Sequence, residues 1–93
     1  MRKRELQRIE HEKYLLRSAW SSLSLSGLSQ DLDDDFKIIE NYFIHNSGSI
    51  EDAKRSLYNV RDYLGGMDIY VSEGYDECFD YFINTIKTKE RGN

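Results

Sequence analysis

Ser49-Ile50-Glu51-Asp52-Ala53-Lys54-Arg55-Ser56-Leu57-Tyr58-Asn59-Val60-Arg61-Asp62-Tyr63-Leu64-Gly65-Gly66 reads as one amphipathic helix from cap to stop. Ile50, Ala53, Leu57, Val60 and Leu64 recur every three or four residues, the spacing that lines one face of an α-helix. Ser49 stands at the N-cap, and Glu51 and Asp52 put negative charge in the first turn, a variant of the capping box. Gly65-Gly66 is expected to close the helix near Leu64. A helix with a single apolar stripe must bury it against other elements, so the flanking segments have to supply the neighbours.

They do. Upstream, Leu32, Phe36, Ile39 and Phe43 repeat at helical spacing, predicting a helix from near Ser29 to about His45. Asp31, Asp33, Asp34 and Asp35 fall in its first turns, where they complement the helix dipole. Further upstream, Leu6, Ile9, Leu16, Trp20 and Leu23 predict a long first helix over 3–25, with Gly27 as its stop. The polar run Glu10-His11-Glu12-Lys13 interrupts that stripe, so the first two turns are expected to project beyond the core. Downstream, Met67-Asp68-Ile69-Tyr70-Val71 alternates only in part. It is expected to be a short extended connection that lays Ile69 or Val71 on the core. Tyr75, Cys78, Phe79, Phe82 and Ile86 then predict a last helix from Glu73 or Gly74 to about Lys89. The fold class is all-α, a small bundle of about four helices in a single domain over 1–93.

Composition agrees with a packed domain. The 93 residues are 39% hydrophobic and 13% aromatic, too apolar for a disordered chain, and no proline breaks any helix. The lone Cys78 excludes an intramolecular disulfide, so a reducing cytoplasm is the expected location. Met1-Arg2-Lys3-Arg4-Glu5 is not followed by an apolar run, so no secretory signal is expected, and no stretch suits a membrane span.

The net charge of −4 is unevenly spread. Arg2, Lys3, Arg4, Arg8, Lys13 and Arg17 outnumber Glu5, Glu10 and Glu12 at the start. Asp31, Asp33, Asp34, Asp35 and Glu40 face only Lys37. Asp68, Glu73, Asp76, Glu77 and Asp80 have no base among them. Carboxylates at i,i+4 repel one another, so Glu73 with Glu77 and Asp76 with Asp80 suggest an external basic partner. The balance argues against nonspecific DNA binding by the whole domain.

No catalytic or metal motif is legible. Asp31-Leu32-Asp33-Asp34-Asp35 lacks the central glycine and distal glutamate of a calcium loop. His11, His45 and Cys78 do not have zinc-ligand spacing. Cys78 lies on an apolar stripe, and there is no nucleophile elbow, phosphate loop or dinucleotide fingerprint. The expectation is a non-enzyme without cofactor or metal. Tyr42, Tyr58, Tyr63, Tyr70 and Tyr81 fall beside the core stripes, where a ring packs and its hydroxyl stays wet.

An acidic helical chain of this size with tyrosines at its flanks resembles the colicin DNase immunity proteins. The nearest stretch to their local Asp-Leu-Ile-Tyr-Tyr-type segment is Met67-Asp68-Ile69-Tyr70-Val71, which carries one tyrosine. The resemblance implies a protein that binds and blocks a basic nuclease toxin. Separately, Tyr63-Leu64-Gly65-Gly66-Met67-Asp68-Ile69-Tyr70 is similar to a Gly-Gly-Met turn in a family of small bacterial proteins of unknown function, which implies no activity.

The leading expectation is a stoichiometric inhibitor of the immunity or antitoxin kind, bacterial or phage-encoded, occluding a basic target protein. Asp31, Asp33, Asp34, Asp35, Asp68, Glu73, Asp76 and Asp80 would meet the target's cations, and Tyr63, Tyr70 and Tyr75 would anchor it. One alternative is an assembly adaptor that self-associates through Ile9, Leu16 and Trp20. Another is a small nucleic-acid or nucleotide binder using Arg2, Lys3, Arg4 and Arg8.

Overall fold

The computed structural model describes residues 3–92. Four helices follow in order: α1 Lys3–Leu25, α2 Ser29–Phe43, α3 Ile50–Gly66 and α4 Tyr75–Arg91. The described residues contain no strand.

Each boundary has a local cause. Gly27 ends α1 at φ +76°, and the Leu28 N–H closes back on the Leu23 carbonyl at 2.9 Å. That left-handed turn satisfies carbonyls the helix leaves open. Ser49 caps α3 from an extended backbone, its Oγ accepting from the Asp52 N–H at 3.2 Å. α2 stops two residues short of the expected His45, because Asn46 takes a left-handed turn at φ +55°.

Two expectations at the end of α3 are corrected. Gly65 and Gly66 continue the helix, and the chain reverses two residues later through Asp68, at φ +61°. Asp is among the few residues that tolerate this region, since its short side chain can bond locally. Segment 67–74 is also not extended. It coils through successive turns, with Glu73 N–H on the Ile69 carbonyl at 3.0 Å and Asp76 N–H on the Tyr70 carbonyl at 3.2 Å. These bonds satisfy its backbone locally, which a lone strand could not do. Ile69 still packs against the core, as expected, whereas Val71 stays 72% exposed.

The four stripes meet in one core. Leu16, Ala19 and Leu23 of α1 join Leu32, Phe36, Ile39 and Phe43 of α2. Ala53, Leu57, Val60 and Leu64 of α3 meet Cys78, Phe79, Phe82, Ile83 and Ile86 of α4. Each large side chain buried here contributes about 1.5–3 kcal/mol. Aromatic rings run through it: Trp20 on Phe36 at 4.9 Å, Phe36 on Phe79 at 5.7 Å, and Phe43 on Phe82 at 4.5 Å.

Consecutive helices pack antiparallel, and α1 closes the square against α4 along the sparsest seam. Tyr63 near the end of α3 reaches Asp31 at the start of α2, and Lys54 near the start of α3 reaches Glu90 at the end of α4. The first turns of α1 project, with Leu6 51% exposed.

Candidate functional site

Antiparallel packing turns a scattered charge pattern into a polarised molecule. One end gathers the finish of α1, the start of α2, the finish of α3, segment 67–74 and the start of α4. Asp31, Asp33, Asp34, Asp35, Asp62, Asp68, Glu73, Asp76, Glu77 and Asp80 all lie there, against Arg61 and, further along α1, Arg17. The two acidic blocks of the sequence thus become one acidic end. Lys54, Arg55, Lys87, Lys89 and Arg91 lie toward the other end, where Glu40, Glu51, Asp52 and Glu90 offset much of their charge.

Two tyrosines organise the carboxylates. Tyr63 Oη donates to Asp31 Oδ2 at 2.8 Å, and Tyr70 Oη donates to Asp80 Oδ1 at 2.9 Å. The first bond ties α3 to α2, and the second ties segment 67–74 to α4. The hydrogen bond to Asp31 raises the Tyr63 pKa above its usual value. For Tyr70, burial is the larger cause of a strong upward shift and the Asp80 bond adds to it. Both phenols therefore stay protonated and hold one oxygen of each carboxylate, leaving the rest of its lone pairs for a cation.

The remaining expected residues divide by exposure. Asp34, Asp68 and Glu73 are exposed, while Asp35 and Asp76 are half-buried. Asp33 is paired with Lys37 at 3.1 Å. Tyr75 is a correction: it is 1% exposed and belongs to the core, because it opens the inward stripe of α4. It cannot anchor a partner. Its buried hydroxyl has no hydrogen-bond partner of ordinary geometry among the described residues, and burial raises its pKa.

The expected self-association stripe is also corrected. Leu16 is buried in the core, and Trp20 leans on Phe36 while lining a groove beside α2. Only Ile9 and Trp20 retain partial exposure. Of the basic group proposed for nucleic acid, Arg2 lies outside the described residues; Lys3, Arg4 and Arg8 are exposed.

Three exposed apolar residues sit at the acidic end; Leu25 and Met67 had no expected role, and Val71 was a candidate for the core. Leu25 is 91% exposed at the finish of α1, Met67 is 47% exposed after α3, and Val71 is 72% exposed in the turns before α4. Their signal was position: Leu25 closes α1 off its apolar stripe, and Met67 and Val71 fall in the connection between α3 and α4. Exposed apolar residues among carboxylates are of the composition that protein-binding surfaces use.

A second omission is Glu12, read as part of a polar interruption. It is fully buried, between Arg8 at 3.0 Å and the Tyr81 hydroxyl at 3.1 Å. Ile9, Glu12, Leu16, Ala19 and Leu23 keep the helical spacing, which was the signal available.

Burial pushes the Cys78 thiol up to about 12, so it stays protonated and poorly nucleophilic at neutral pH. Among the described residues, no three His, Cys, Asp or Glu side chains gather to hold a metal ion. No helix among them is long and apolar enough to cross a membrane. Comparison with protein-family models, with characterised proteins and with solved structures finds no match to this chain.

Proposed function

We propose that this protein is a stoichiometric inhibitor of the immunity or antitoxin kind, which uses its acidic end to occlude a basic target protein. The observation that carries this reading is the coincidence of Leu25, Met67 and Val71 with the acidic end of the bundle. Exposed apolar groups supply contact area that survives desolvation, and the surrounding carboxylates steer a cationic surface onto it. Tyr63 and Tyr70 contribute rings whose hydroxyls already fix Asp31 and Asp80, so less side-chain freedom is lost on binding. The partner this surface fits presents lysines and arginines around an apolar recess.

The test is capture of the partner by the tagged protein at low and moderate salt, alongside an Asp31→Lys/Asp80→Lys variant. The reading expects one basic protein in equal stoichiometry, lost from the variant, with its own activity suppressed by the wild type. Recovery of the protein alone, as a closed oligomer, would remove the inhibitor reading in favour of an adaptor.

A further inference from the structure

Away from the apolar patch of the acidic end, a groove of about 580 Å³ runs between α1 and α2. Leu16, Trp20, Phe36 and Ile44 line it with apolar and aromatic carbon. Its two walls differ in charge. On the α2 side Lys37 pairs with Asp33 at 3.1 Å, and His45 lies beside Glu40 at 3.3 Å, so this wall carries no free lysine or arginine. On the α1 side, Lys13 and Arg17 have no carboxylate within ion-pair distance among the described residues. These two residues are one helical turn apart, so both cations can serve a single anionic group.

We propose that this groove is a binding site for a small amphipathic anion: an acyl or aryl body carrying one carboxylate or sulfonate. The apolar body would lie against Trp20, Phe36 and Ile44, and the anionic head would pair with Lys13 and Arg17. The volume falls in the range of small-molecule sites, about 300–1,000 Å³, and an apolar strip of Leu16, Trp20, Phe36 and Ile44 is rimmed by charged and polar side chains, a lining that suits an amphipathic ligand. From Lys13 to Ser21 the α1 wall is about 12 Å long, which suits a short chain or a pair of fused rings. Leu25, Met67 and Val71, which carry the proposed function, do not line the groove, so either proposal can fail alone.

Trp20 is the only tryptophan, so its emission reports on the groove without a label. The probe is laurate, titrated below its micelle concentration, with dodecyltrimethylammonium as the cationic counterpart. The expected result is a saturable, one-to-one shift in Trp20 emission with laurate and none with the cation. NMR shift changes should centre on Leu16, Trp20, Phe36 and Ile44. Lys13→Glu/Arg17→Glu, two changes at the groove rim, should weaken laurate at least tenfold with helical content unchanged. If that variant loses helix, Lys13→Gln/Arg17→Gln provides the same comparison. Equal response to both amphiphiles, undiminished affinity in the variants, or no saturable response would overturn the assignment. So would tight binding of a glutamate-flanked amphipathic peptide by a groove that ignores laurate.

Discussion

Tyr81 of α4 donates its hydroxyl to the buried carboxylate of Glu12 on α1 at 3.1 Å, joining residues 69 positions apart. Arg8 holds the other carboxylate oxygen at 3.0 Å. This polar staple lies on the sparsest seam of the bundle, between α1 and α4. A buried carboxylate with two partners sets the register of α1 more narrowly than an apolar side chain would, since a slip leaves a charge unpaired.

Breaking one partner should therefore cost more than removing the carboxylate. Tyr81→Phe leaves Glu12 buried with Arg8 alone and is expected to destabilise by about 1.5–3 kcal/mol. Glu12→Leu should cost less, because Arg8 and Tyr81 are half-exposed and regain water. Urea unfolding of the two variants gives the order, and the reverse order would contradict the staple.

Alkaline pH should loosen the fold in a defined window. The folded-state pKa of Cys78 is raised from 9.0 to about 12 by burial, so the folded state holds this proton more tightly than the unfolded chain. The stabilisation is complete below pH 9 and is lost as pH rises toward 12. Tyr63, Tyr70, Tyr75 and Tyr81 are shifted the same way from 10.0 and steepen the loss. Unfolding free energy measured from pH 8 to 11 should fall, with a shallower slope from pH 9 upward for Cys78→Ala. An identical slope would place the thiol in water.

At the acidic end, charge and apolar contact should separate kinetically. Asp34→Lys/Glu73→Lys alters two exposed carboxylates that make no ion pair among the described residues. Association with the captured partner should slow by roughly tenfold at low salt, and the difference should shrink as salt rises. Leu25→Ala/Val71→Ala should instead speed dissociation, with each exposed change altering stability by under about 0.5 kcal/mol. Surface plasmon resonance reads both rates, and unchanged kinetics in both variants would move the interface elsewhere.

Gly74 begins α4 at φ +79°, with nothing within 4 Å of where a Cβ would stand. Gly74→Ala should cost about 1–2 kcal/mol from backbone strain alone. No loss in thermal unfolding would show that segment 67–74 adopts another turn.

The helices were legible because their stripes are regular and their punctuation is chemical. Ser49 and Gly27 act where they were expected. The turn after α3 was not legible, because a glycine pair inside a helix looks the same in sequence as a glycine stop, and the left-handed turn falls instead on Asp68. Tyr75 was misassigned as an anchor although its place on the apolar stripe, three residues before Cys78, already pointed inward. The acidic residues were visible, but their convergence was not: two blocks over thirty positions apart meet only once the antiparallel order is known. Leu25, Met67 and Val71 became meaningful only beside those acids.

The central claim, that the acidic end is the surface that engages a partner, is tested most directly by hydrogen exchange of the protein alone and with its captured partner. The account predicts new protection at 25–35 and 62–80, with the start of α1 and the end of α4 unchanged. Protection confined to 3–21, with the acidic end exchanging as in the free protein, would contradict it.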